Sequence, residues 1–171
     1  MIKKLLLIGI LPLLFLQCTQ ENDYLVTSKR AGDVVLGNSL ETIMSKLTTY
    51  RLEQIPAQLS YGQEYMVWDG EERLMRVVFS NEELQKVEVF SRKYRTNETV
   101  RPGMIAQAAI DRGLAPYMLT ETTDNLLIGN AARSGMGGYR LVQGMELTFE
   151  NKMTRNREIG ATARLISITI E

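Results

Sequence analysis

Leu74-Met75-Arg76-Val77-Val78-Phe79-Ser80-Asn81-Glu82-Glu83-Leu84-Gln85-Lys86-Val87-Glu88-Val89-Phe90 is two β-rich runs around a polar break. The second run alternates, setting Leu84, Lys86, Glu88 and Phe90 apart from Gln85, Val87 and Val89. Ser80-Asn81-Glu82 supplies turn chemistry, so the stretch predicts an antiparallel hairpin. Working outward, Tyr65–Trp68 and Thr49–Ile55 read as two more strands, with Asp69-Gly70 as a second turn. Further upstream, Val34-Val35-Leu36-Gly37 leads into a helix start. Asn38 is placed to cap it and Glu41 follows three residues later, as in a capping box. Leu40, Ile43, Met44 and Leu47 then form one apolar stripe, which should end where Thr48-Thr49-Tyr50 turns to β-preferring residues.

Downstream the pattern restarts. Thr99-Val100-Arg101-Pro102-Gly103 precedes a second helix with the stripe Ile105, Ala106, Ala109 and Ile110, and Gly113 is placed to stop it. Strand candidates follow at Pro116–Thr120, Asp124–Ile128, Tyr139–Val142, Met145–Glu150 and Leu165–Ile170, with Gln143-Gly144 as a tight turn. Gly37 and Gly103 each lead a helix, and Val87-Glu88-Val89 matches Ile166-Ser167-Ile168 as the end of a unit. Two helix-then-strands units in tandem are therefore expected, residues 34–95 and 96–171. Without a βαβ rhythm, the expected class is α+β, one compact domain with its helices packed on antiparallel sheet.

The amino terminus carries an address. Lys3 and Lys4 precede an apolar run from Leu5 to Leu16, and Cys18 stands where cleavage is expected. The run is too short to cross a bilayer core, which takes about 20 residues, and Pro12 would break a spanning helix. Residues 1–17 resemble a bacterial lipoprotein signal peptide. That resemblance implies lipidation of Cys18 and a place in the cell envelope, at the outer membrane. Residues 18–33, polar and without periodicity, are expected to be a flexible tether.

Composition narrows the chemistry. The chain has no histidine, and Cys18 is its single cysteine. Histidine acid–base catalysis, Ser-His-Asp systems and the usual zinc sites therefore fall away. Twenty basic and twenty acidic residues give no net charge, and loss of the leader makes the rest slightly negative. No basic stripe with stacking residues suggests nucleic acid. The expectation is a protein that is not an enzyme and uses no cofactor or metal.

The openings Leu36-Gly37-Asn38-Ser39-Leu40 and Val100-Arg101-Pro102-Gly103-Met104 resemble those of small envelope lipoproteins of the SmpA/OmlA (BamE-like) group. They are also similar to the tandem units of the β-lactamase inhibitor protein fold. The resemblance implies a non-catalytic role in envelope assembly or inhibitor-like binding, with another envelope protein as partner.

Five residues are candidates for binding. Tyr61, Tyr65 and Trp68 form the densest aromatic group, with Trp68 expected in the core and the tyrosines as anchors of a binding surface. Read as stacking residues, the three would instead suit a small ligand or a glycan. Gly129–Gly138 has neither the lysine nor the following helix of a phosphate loop, so it reads as a hairpin connection suited to partner contact. Arg133 within it and Tyr139 just after it complete the set.

Overall fold

The computed structural model describes residues 23–56, 62–112, 115–121, 125–128, 137–140, 145–150 and 160–171. In chain order the elements are β1 (Leu25–Thr27), β2 (Arg30–Ala31), β3 (Val34–Val35), α1 (Leu40–Lys46), β4 (Arg51–Ile55), β5 (Gly62–Asp69), β6 (Glu72–Ser80) and β7 (Glu83–Val89). They continue with β8 (Arg95–Thr96), α2 (Ala106–Ile110), β9 (Ala115–Glu121), β10 (Asn125–Ile128), β11 (Gly137–Arg140), β12 (Met145–Glu150) and β13 (Leu165–Ile170). A nine-stranded sheet runs β11-β9-β10-β12-β13-β7-β6-β5-β4, and a small sheet runs β3-β2-β1-β8.

The α+β expectation is overturned: the protein is mostly β. Its helices have seven and five residues. Seven residues make about 10 Å of helix, whereas nine strands about 4.8 Å apart span roughly 38 Å, so no helical layer among the described residues covers the sheet. Within α1 only Ile43 is buried, and Met44 of the same stripe is exposed. The cap is Ser39 rather than Asn38, its Oγ accepting from the Thr42 N–H at 3.3 Å. No helix among the described residues is long and apolar enough to cross a membrane.

From Asp23 onward the expected tether belongs to the fold. Val26 and Ala31 are fully buried in the same cluster as Val67, Val87 and Ile168 of the large sheet. The Tyr24 ring meets Tyr94 edge-on, 5.2 Å between centroids, and the Tyr24 carbonyl accepts from the Arg95 N–H. Two buried apolar residues in a polar stretch are enough to add a strand pair, and they leave no periodicity to read.

β-Bulges set which side chains meet the core. Val78 pairs with Lys86 and Phe79 with Leu84, which leaves Gln85 unpaired. The extra residue puts Leu84 on the face of Val87 and Val89, all three in the core. The simple alternation expected for this strand is therefore broken at Gln85.

The two halves of the sheet are related by a local two-fold axis. β7 and β13 pair antiparallel at its centre, Thr169 opposite Glu88, with Ile168–Val89 and Ile170–Val87 on either side. Outward from there, β6, β5 and β4 correspond to β12, β10 and β9, and β11 adds an edge. The bulge recurs: Phe149 pairs with Leu165 and Thr148 with Ser167, leaving Ile166 unpaired as Gln85 is. Helix openings recur too. The Gly37 N–H donates to the Leu84 carbonyl and the Leu84 N–H to Asn38, while Gly103, Leu165 and Met104 make the same pair of bonds. Both glycines have left-handed φ, +81° and +83°, which glycine adopts without a Cβ penalty. This register matches Val87-Glu88-Val89 to Ile168-Thr169-Ile170, two residues beyond the match expected from sequence.

Candidate functional site

The β6–β7 turn and the start of α1 build the most developed groove of the described residues. Ser80 and Glu83 pair across a two-residue turn, and both central residues, Asn81 and Glu82, have positive φ, 52° and 66°. That is the backbone of a type I′ hairpin, for which Asn-Gly is the preferred pair. α1 is tied to the base of the same hairpin by the Ser39–Glu83 bridge and the Gly37–Leu84 bond. Helix and turn therefore stand side by side, and the space between them holds about 880 Å³, within the range of ligand pockets.

Leu40, Met44 and Phe79 form its apolar lining; Ser39, Ser45, Gln63, Ser80 and Asn81 supply neutral polar groups. The charged residues that line it are Glu41 and Glu82, one on the helix and one on the turn. Both are exposed, and no cationic side chain among the described residues joins them. Holding Glu82 left-handed costs about 1 kcal/mol or more, strain of the kind stored at binding sites. Glu82→Gly is accordingly expected to raise stability by about 0.5–1 kcal/mol, net of the greater freedom of the unfolded chain, as read by urea unfolding.

Of the sequence candidates for binding, Tyr65, Trp68 and Tyr139 are among the described residues, and they are not brought together. Tyr65 points toward the core and supports the groove from behind, its ring edge-on to Phe79 at 6.1 Å and its hydroxyl donating to Gln63 Oε1 at 3.2 Å. Trp68 lies opposite Arg51 on the other face of β5 from Val67. It is half-buried rather than core, with the Arg51 guanidinium 5.0 Å from its ring centroid. Alternation therefore separates Tyr65 from Trp68, and the two cannot make one stacking platform. Tyr139 is in β11, paired with Pro116 at the far edge of the sheet from β4. Cys18, Tyr61 and Arg133 lie outside the described residues, as does most of Gly129–Gly138.

Sequence reading missed the groove residues. Leu40 and Met44 were legible only as a helix stripe, and Phe79 only as a strand residue. The available signal was Asn81-Glu82, a pair without glycine at a two-residue turn.

The acids at the opposite end of the β5–β6 hairpin form a clamp. Lys93 Nζ lies 2.7 Å from Asp69 Oδ2 and 3.0 Å from Glu72 Oε2. A hydrogen bond from Ser91, then one from Lys93, hold the Glu72 carboxyl below its ordinary value of 4.5, while Asp69 and then Glu72 raise Lys93. Because the folded pKa of Glu72 lies below the unfolded one, its stabilisation is complete above the unfolded value. It is lost as pH falls through the folded value. Ser91→Ala should therefore flatten the acid limb of a Tm-against-pH curve, by a small amount because the carboxylate is partly solvated. No group of three or more potential ligands that could hold a metal occurs among the described residues.

Fold and groove together define a mostly-β protein of two sheets, with an internal two-fold and an open apolar groove beside one helix. No family model matches the chain, and no curated protein does. Among solved structures, the uncharacterized protein yfeY from Escherichia coli is similar, with a TM-score of 0.56 at 13% identity. The match covers 85% of this chain and 98% of that one. At that identity the likeness is one of fold.

Proposed function

We propose that this is a lipid-anchored, non-catalytic protein of the cell envelope, at the outer membrane, that binds another envelope protein in the groove between α1 and the β6–β7 turn. The observation that carries the reading is Met44, 46% exposed on a wall shared with Leu40 and facing a strained turn. An exposed methionine in a concave apolar site suits a partner surface, since its flexible thioether adapts to what it meets. Cys18 supplies the anchor, and more than one acyl chain there makes attachment stable, since a single chain binds only marginally. The absence of histidine favours binding over the commonest acid–base catalysis.

A photo-crosslinking residue at position 44 should capture one stoichiometric envelope protein from intact cells. Met44→Asp should change stability by no more than about 0.5 kcal/mol. It should weaken capture and co-purification at least tenfold, about 1.4 kcal/mol. An unmodified Cys18 in the intact mass would remove the anchor from this proposal, and failure to capture any partner would remove the binding role.

A further inference from the structure

The second half of the protein shows what lies at the place corresponding to the groove: its own backbone. Counting back from the paired Leu84 and Leu165, Thr162 and Ala163 hold the positions of Asn81 and Glu82, while the counterpart of Ser80 is Glu150, so Gly160 and Ala161 belong to a longer connection in place of the two-residue turn. Ala106 and Gln107 likewise hold those of Leu40 and Glu41. There Gly160–Ala163 folds as a turn, the Ala163 N–H donating to the Gly160 carbonyl at 2.8 Å, and packs against the helix start. The Ala106 N–H donates to the Ala163 carbonyl at 2.9 Å and the Gln107 N–H to the Ala161 carbonyl at 3.1 Å. Ala163 is fully buried by this arrangement. In the first half the two-residue turn at Asn81-Glu82 stands away from α1 instead, and no backbone bond joins α1 to Ser80–Glu82 among these described residues. The groove is thus the open form of a place that the second half fills with a small-residue turn.

We infer that the groove takes a short peptide turn of its protein partner, built of small and apolar residues with one lysine or arginine, set against α1 as the Gly160–Ala163 turn is set against the start of α2. Small residues are required because the turn at the equivalent place is Gly-Ala-Thr-Ala, which lets backbone approach helix closely. The apolar side chain meets Leu40, Met44 and Phe79. The cation follows from charge complementarity, since the charged lining residues are Glu41 and Glu82. This inference rests on the binding role proposed above and specifies the chemistry of what is bound.

The test uses two blocked octapeptides of alanine, glycine and threonine with one leucine, identical except that one carries lysine where the other carries glutamate. Each is titrated into the isotope-labelled, full mature protein and followed by NMR. The lysine peptide should give saturable shifts at Leu40, Met44, Phe79 and Ser80 with Kd of about 1 mM or tighter, about −4 kcal/mol. Signals from the Lys93 clamp should stay still. The glutamate peptide should bind at least tenfold more weakly, and Glu41→Lys should reverse that order. Met44→Asp should abolish the shifts in a protein that keeps its fold. Equal binding of both peptides, shifts only elsewhere, or no saturable shift would overturn the inference. So would shifts of the groove signals with protein concentration alone, which would assign the groove to a second copy. Mapping the crosslink from position 44 separates the two claims. A captured partner joined through a folded helical surface, with no peptide binding, removes the peptide turn and leaves the binding role. Peptide binding with no captured partner does the opposite.

Discussion

Phe149→Ala is expected to destabilise the protein by about 3–5 kcal/mol, in one transition that Trp68 reports from the other half of the molecule. Phe149 is fully buried on β12, opposite Leu165 at the bulge. It shares one core cluster with Val67 and Met75 of the first half. Strand pairing is continuous from β12 through β13, β7 and β6 to β5, where the single tryptophan sits. Nothing along that path offers a place for the halves to part, so they should unfold together. In urea, the midpoint of Trp68 fluorescence should fall with m unchanged, and far-UV circular dichroism should fall with it. Phe79→Ala, the substitution related to it by the two-fold, should cost a comparable amount. A Trp68 midpoint that stays in place while the dichroism moves would show that the halves unfold separately. The loss is a large fraction of the 5–15 kcal/mol typical of a folded domain, so expression of the variant should also suffer.

The strands were legible in the sequence because their evidence is local. Met145–Glu150 and Leu165–Ile170 were expected with the bounds that the structure gives them, and the hairpin around Ser80 was expected within two residues at each strand end. What could not be read is long-range. A stripe such as Leu40, Ile43, Met44 and Leu47 announces a helix but not its length relative to the sheet, and that ratio decides between α+β and mostly β. The bulges at Gln85 and Ile166 are likewise silent, since each is set by the partner strand. The tether failed at Val26 and Ala31 because strands of three and two residues are too short to show a period.

The groove was hidden for a related reason. It is assembled from α1, the start of β5 and the β6–β7 turn, three segments that no sequence window contains. Composition drew attention to the aromatic residues, but aromatic density says nothing about which face of a strand each ring takes. Alternation sends Tyr65 inward behind Phe79 and leaves Trp68 outside under Arg51. The glycine-led helix openings were more informative, because a left-handed residue before a helix is a local requirement, and Gly37 and Gly103 make the same bonds.

On the face of the large sheet away from the core, Arg76→Met is expected to cost about 3–5 kcal/mol, the range for breaking a buried ion pair by removing one partner. Arg76 Nη2 lies 3.1 Å from Glu88 Oε2 and Nη1 lies 3.7 Å from Glu64 Oε2. Ser167 Oγ donates to the other Glu88 oxygen at 2.9 Å. Glu64 and Ser167 are buried, so water does little to screen what remains once the guanidinium is gone. Methionine keeps most of the packing of the arginine stem, which isolates the charge effect from a cavity effect. The variant removes the cation that stands on β6 between the carboxylates of Glu64 on β5 and Glu88 on β7. Glu64→Gln in that background should therefore recover at least about 1 kcal/mol, although alone it should destabilise. This sign reversal is the coupling expected of groups in one network, and a urea-unfolding double-mutant cycle measures it. A cost below about 1 kcal/mol for Arg76→Met would place the pair with solvated surface ion pairs. Additive effects of the two substitutions would show that Arg76 and Glu64 are not coupled.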